Sequence, residues 1–219
     1  MRRKAMAFLL VLALAAAAYG APVQTGFRLW GGLTLAKYEG LPFPQSGIPE
    51  IRYQNAWRTG VGFGAGVELG FSGIPLALIL DLSYLEKGTN LGVYEIDNKI
   101  DTLPYRLGAL SHSGLAKISR RGNWTPYLLA GYELAFITRH RGQPFGSGGP
   151  DLMSDTRKVD FGLVAGAGLE FRQKKASPFV EFRYYHGLTN LSLGTGSLEY
   201  FTSLKCRTML LSAGLKFGK

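Results

Sequence analysis

From Thr59 the chain alternates with period two. Val61, Phe63, Ala65, Val67, Leu69 and Phe71 are separated by Gly60, Gly62, Gly64, Gly66, Glu68 and Gly70. The same alternation runs from Val159, where Phe161, Leu163, Ala165, Ala167, Leu169 and Phe171 are interleaved with Asp160, Gly162, Val164, Gly166, Gly168, Glu170 and Arg172. Residues two apart share one face of a strand. Both stretches are therefore read as strands with one apolar face and one face of glycine and charge. A helical reading would have to absorb these glycines at about 1 kcal/mol each.

Extending this pattern predicts eight strands, at about 25 to 37, 56 to 71, 75 to 87, 101 to 118, 124 to 139, 157 to 173, 177 to 187 and 204 to 218. The connections alternate in length. Residues 38 to 55, 88 to 100, 140 to 156 and 188 to 203 are long and rich in Gly, Pro, Ser and Asn, whereas 71–75, 119–123 and 173–177 are short turns. Strict long-short alternation suits an all-β, eight-stranded antiparallel up-and-down barrel whose two ends differ, the arrangement of transmembrane β-barrels. Gly64-Ala65-Gly66-Val67-Glu68 and Gly166-Ala167-Gly168-Leu169-Glu170 resemble each other, as repeated hairpins would. The glycines at 162, 166 and 168 do not make a dinucleotide loop, because Phe171 stands where the third glycine would be needed and the alternation runs straight on.

Period two does not say which face meets solvent. In a soluble, lipocalin-like barrel the Val, Phe and Leu face would point inward and the outer surface would be mostly glycine, a poor strand surface. In a membrane barrel the apolar face meets lipid, and inward glycines make room in an interior just wide enough for side chains. The second orientation is preferred. It places Arg28, Trp30, Arg106, Tyr127, Arg183 and Tyr185 as large inward residues and Glu68, Asp81, Glu133, Glu170 and Glu181 as inward acids. Opposite charges confined together should pair, giving a plugged, salt-bridged interior.

The ends and the composition sharpen this picture. Arg2, Arg3 and Lys4 precede an apolar run that ends in small residues near Gly20, the pattern of a secretory signal peptide, with residues 21–219 as the barrel domain. The apolar run is about a dozen residues, short of the roughly 20 a spanning helix needs. Cys206 is the one cysteine, which excludes an intramolecular disulfide framework and leaves no acceptor for a lipid anchor near the leader. Removing the three leader cations takes the net charge from +10 to +7. The remaining Lys and Arg are scattered through strands and turns, which argues against a nucleic-acid partner.

Three segments carry a resemblance to a known family. DFGLVAGAGLEF at Asp160–Phe171, PFVEFRYYHGLTNL at Pro178–Leu191 and TMLLSAGLKFG at Thr208–Gly218 look like the sixth to eighth strands of the PorT-like family of outer-membrane β-barrel domain proteins. RLWGGLTLAKY from Arg28 and TPYLLAGYELAF from Thr125 are similar in pattern. The resemblance implies an integral protein of the bacterial outer membrane, of the Bacteroidetes type, in contact with outer-membrane lipid and lipopolysaccharide. It also implies folding by the barrel assembly machinery and contact with other envelope proteins. Such barrels usually end in an aromatic residue, whereas here Phe217 is followed by Gly218 and Lys219. The family's namesake takes part in secretion across the outer membrane. The resemblance brings no catalytic motif and no functional residue.

No catalytic, cofactor-binding or metal residue is assigned, and no cofactor. A lipid-modifying barrel enzyme needs a nucleophile beside its base. The only adjacent pair, His112 and Ser113, should point to opposite faces of a strand. His140, between Arg139 and Arg141, is read as starting an exposed basic loop, and His186 as ending the seventh strand; three separated histidines offer no metal spacing. Tyr53, Trp57, Trp124, Tyr127, Phe179 and Tyr184 are candidates for aromatic girdles. Asn123-Trp124-Thr125 and Asn190-Leu191-Ser192 match a glycosylation pattern that carries little weight in a bacterial barrel. The expected function is non-enzymatic: binding, adhesion or envelope and secretion assembly through the loops. The alternatives are a small passive channel and a lipid-modifying enzyme.

Overall fold

The structure is a computed structural model that describes residues 23–40, 51–95, 98–120, 122–142, 151–195 and 203–218. Its strands are β1 (Val23–Glu39), β2 (Ile51–Ala56), β3 (Arg58–Phe71), β4 (Leu76–Glu95), β5 (Asn98–Ser119), β6 (Trp124–Gly142), β7 (Val159–Phe171), β8 (Ala176–Gly187) and β9 (Lys205–Gly218). β2 and β3 are two parts of one strand, broken at Trp57, and both pair with β4. Each strand pairs antiparallel with the next, and β1 pairs with both β3 and β9. The result is a closed ring of eight strands with no free edge along the wall. Residues 1–20, read as a signal peptide, lie outside the described residues.

Alternation decides which side chain faces where. On β1, Phe27, Leu29, Leu33 and Leu35 are exposed, while Arg28, Trp30, Thr34 and Ala36 are buried. On β7, Leu163 is exposed and Asp160, Val164 and Glu170 are buried, so the glycine-bearing face is the inner one. These glycines make space for large inward neighbours. A Cβ on Gly64 would lie 2.7 Å from Trp30 Cζ2, and one on Gly168 would run into the Tyr127 ring. Seating each aromatic body against a strand lets an interior of this bore hold tryptophan and tyrosine.

The three short turns and both described chain ends lie at one end of the ring. The other end departs from the sequence expectation. Within the segment 88–100, read as a loop, residues 88–95 and 98–100 continue the β4–β5 hairpin, from Gly88 opposite Arg106 up to Glu95 opposite Asn98. With β2 they form a three-stranded ribbon that rises above the rest of the wall. Gly88-Thr89-Asn90 looks like a turn locally, yet Thr89, Leu91 and Val93 keep to one face, and Leu91, Val93 and Leu103 form an apolar cluster flanked by Tyr53 and Tyr105. That cluster and the β2 pairing override the local turn signal.

A second departure is a bulge in β6. Gly108 faces Arg139 while Ala109 faces Ile137, so Thr138 is the extra residue. Before it odd-numbered residues point inward; after it His140 does. His140, expected in an exposed loop, is fully buried. Arg106, expected inward, is exposed on the outer face of β5, whose inward positions at this height are Leu103, Tyr105 and Leu107. The girdle reading also divides. Trp57 and Trp124 are exposed and outward, whereas Tyr127 and Phe179 are buried in the interior.

Candidate functional site

The interior holds two layers of chemistry. The layer nearer the short turns is an ion-pair network of four cations and four carboxylates. Glu181 on β8 is its centre. It accepts hydrogen bonds from Arg28 Nη2 at 2.9 Å, from Tyr127 Oη at 2.7 Å and from Arg183 Nε. Arg183 Nη2 donates to Asp81 Oδ2 at 2.6 Å. Lys117 Nζ lies 2.7 Å from Glu170 and 3.1 Å from Glu68, and Lys216 repeats that bridge at 2.7 and 3.1 Å. Aromatic faces complete the cage: Arg28 stands 4.3 Å over Phe179 and Lys117 stands 4.2 Å over Tyr127.

All five acids expected inside are there, as are five of the six large residues, Arg106 being the exception. The sequence reading did not single out Lys87, Lys117 and Lys216, which supply three of the cations. Their position parity carries the signal: Lys117 shares the inward register of Ser111 and Ser113, and Lys87 that of Asp81 and Ser83. Burying so many charges is favourable because all of these have an opposite partner within reach; buried Asp160, whose two carboxylate oxygens have no hydrogen-bond partner among the described residues, is the exception.

Higher up, Lys87 Nζ bonds to Glu133 Oε2 at 2.8 Å and Ser111 Oγ to Glu133 Oε1 at 2.7 Å. Above them the interior becomes apolar. Tyr38, Leu107, Ala109, Ala135, Ile137, Leu152, Leu191, Leu204 and Cys206 form one buried cluster across the mouth. Leu152 and Leu191 come from the segments between β6 and β7 and between β8 and β9, which fold inward and are stitched together by Arg157 N to Leu191 O and Leu191 N to Leu204 O, both 2.8 Å. His140 is the polar hub of this cap, with Nε2 3.0 Å from Tyr38 Oη and Nδ1 2.7 Å from Thr156 Oγ1. Thr156 in turn donates to Leu152 O at 2.6 Å. His140→Ala is expected to loosen the cap while leaving the barrel closed, because only side-chain bonds above the ion-pair layer are lost. Limited proteolysis of the folded protein should show faster cleavage within 151–158, with heat-resistant migration retained.

At the short-turn end the interior opens into a bowl of about 530 Å³. Glu68, Glu170 and Lys216 form its floor, and Phe71, Ile74 and Pro75 are part of its rim. The floor is the ion-pair network itself, so the bowl is closed toward the other end.

The histidines do not meet. His112 points outward to Tyr132 Oη at 3.2 Å, His140 points inward, and His186 lies beside Tyr184. Ser113 is buried on the opposite face from His112, and its Oγ has no hydrogen-bond partner among the described residues. Cys206 is a buried free thiol in β9.

The outer surface completes the description. Apolar residues form a band between two aromatic levels. Trp124 and Phe171, in ring contact at 3.7 Å, mark the short-turn side; Tyr84, Tyr132 and Tyr184 mark the other. A family profile, that of the outer membrane protein beta-barrel domain, matches residues 23–193. The chain belongs to this family. It is an integral outer-membrane β-barrel protein, with its short turns at the periplasmic end and its ribbon and cap at the outer end. The chain is similar to several solved outer-membrane proteins. OprG from Pseudomonas aeruginosa is similar over 90% of this chain and 96% of its own, with 11% identity and a TM-score of 0.51. Neisserial surface protein A matches 88% of this chain and 97% of its own at 16% identity and a TM-score of 0.46. Ail of Yersinia pestis, the attachment invasion locus protein, matches 89% and 99% at 14% and 0.42. No curated protein matches the chain.

Proposed function

We propose that this barrel is a non-enzymatic binding component of the outer membrane that meets its partner through the β2–β4–β5 ribbon. The observation that carries this reading is the interior: paired charges fill it and an apolar cap covers its outer mouth. The wall is thus a pedestal, and among the described residues the ribbon is the part that projects from it. The PorT-like resemblance supports a role in envelope or secretion assembly, with export directed by residues 1–20 and insertion by the barrel assembly machinery. An aqueous passage belongs to wider barrels, so the purified protein in planar bilayers is expected to give no stable unitary conductance. Regular conductance steps would favour the channel reading instead.

The partner reading is tested by crosslinking. Cys206 is buried, so a cysteine introduced at Ile100, exposed in the ribbon, is the reactive thiol for a bifunctional reagent in intact cells. Ile100→Cys should capture a reproducible envelope protein that Leu82→Cys, on the lipid-facing wall, does not. Equal patterns from the two positions would defeat the ribbon reading.

A further inference from the structure

Three arginines come together on the outward face of β5 and β6, beyond the outer tyrosines. Arg106 is directly opposite Arg141, and Arg139 is opposite Gly108. All three are exposed, and among the described residues none of their guanidinium groups forms a hydrogen bond or an ion pair. Two acids border the cluster, Glu86 opposite Gly108 on β4 and Asp151 opposite Arg141, and neither forms an ion pair with the three arginines. Like charges placed opposite each other in an antiparallel pair are destabilising, so the cluster calls for an anion.

The β6 bulge builds this cluster. The extra residue, Thr138, turns Arg139 and Arg141 outward, and its Oγ1 holds the bulge to Gly108 O at 3.1 Å. Without the extra residue, plain alternation would send both arginines into the interior. The space over Gly108 is taken by Tyr84, whose Oη would lie 2.7 Å from a Cβ there. A neutral hydroxyl donor thus stands over Gly108, the residue that Arg139 faces. Leu110 faces Tyr84, and Arg106 lies four residues further along β5. With a rise of about 3.3 Å per residue and a tilt of about 40°, the cluster sits roughly 10 Å outside the tyrosine girdle. That height is the sugar and phosphate layer of the outer leaflet.

We propose that Arg106, Arg139 and Arg141, with Tyr84 Oη, bind a phosphate group on the saccharide headgroup of outer-leaflet lipopolysaccharide. Guanidinium groups bind phosphate through paired hydrogen bonds, and one phosphate between facing arginines turns their repulsion into a bridge. The site lies on the outward face of β5 and β6 above the apolar band and does not depend on a protein partner for the ribbon.

The test uses the full mature protein refolded in detergent, with heat-modifiable migration as the check on folding. Its binding is titrated against lipopolysaccharide, the same lipopolysaccharide stripped of phosphate, and inorganic phosphate. Wild type should prefer the phosphorylated lipid by roughly tenfold, with a preference that weakens with salt. Arg106→Gln/Arg139→Gln/Arg141→Gln should lose that preference, and the corresponding triple lysine variant should keep part of it. Equal affinity of wild type for the two lipids, or an unchanged preference in the folded glutamine variant, overturns the proposal. Displacement of the lipid by millimolar inorganic phosphate would assign a free-anion site and overturn the lipid assignment.

Discussion

Glu181→Ala is expected to lower the stability of the folded barrel by about 3–5 kcal/mol, the range for removing one partner of a buried ion pair. Glu181 is fully enclosed, and it accepts from Arg28, Arg183 and Tyr127 together. Its truncation leaves Arg183 with Asp81 as its only carboxylate partner and Arg28 with no carboxylate closer than Glu68 at 4.0 Å. Urea titration in detergent, followed by the loss of heat-modifiable migration, reads the effect. Arg207→Ala is the contrast. Arg207 pairs with Glu39 at the outer rim, where both side chains are substantially solvent-exposed, and exposed pairs contribute about 1 kcal/mol at most. If the two variants unfolded at the same urea concentration, the interior network would not be what holds the barrel.

The second large effect is steric. Gly214 on β9 faces the interior where Trp30 and Phe179 meet. A Cβ there would lie 2.6 Å from Phe179 Cζ and 2.8 Å from Trp30 Cβ, and would also collide with the backbone oxygen of Leu29. Overpacking of this kind costs about 1–3 kcal/mol when side chains can yield. Here a backbone atom of the neighbouring strand must move too, so Gly214→Val is expected to block closure of β9 on β1. Refolding yield, scored as the heat-modifiable fraction, should fall close to zero. Gly31→Ala is the matched control, because the nearest atom to its Cβ would be 4.0 Å away, and it should refold like wild type. Normal refolding of Gly214→Val would refute the view that inward glycines exist to admit the large interior residues.

Much of this was legible in the chain because a strand has only two faces. Once Val61 to Phe71 and Val159 to Phe171 are read as alternating, the inward position of Glu68, Glu170 and their glycines follows. The same counting places Asp81, Glu133 and Glu181. It fails where the interior stops being polar. On β5 the inward residues Leu103, Leu107, Ala109 and Leu115 are as apolar as a lipid-facing set, so composition did not reveal which parity pointed in, and Arg106 was assigned to the wrong face.

By itself the sequence determined the eight wall strands, the three short turns and the lipid-facing wall, because these depend on residues two apart and on local turn chemistry. The tertiary structure alone decided the rest. The Thr138 bulge reverses parity without any mark in composition, sending His140 inward to the cap and Arg139 and Arg141 out to the surface. The cap joins Leu152, Leu191 and Leu204, which are far apart in the chain. The ribbon forms because β2 and an apolar cluster support a hairpin whose local sequence reads as loop. Each of these is set by contacts between distant strands, to which a period counted along one strand is blind.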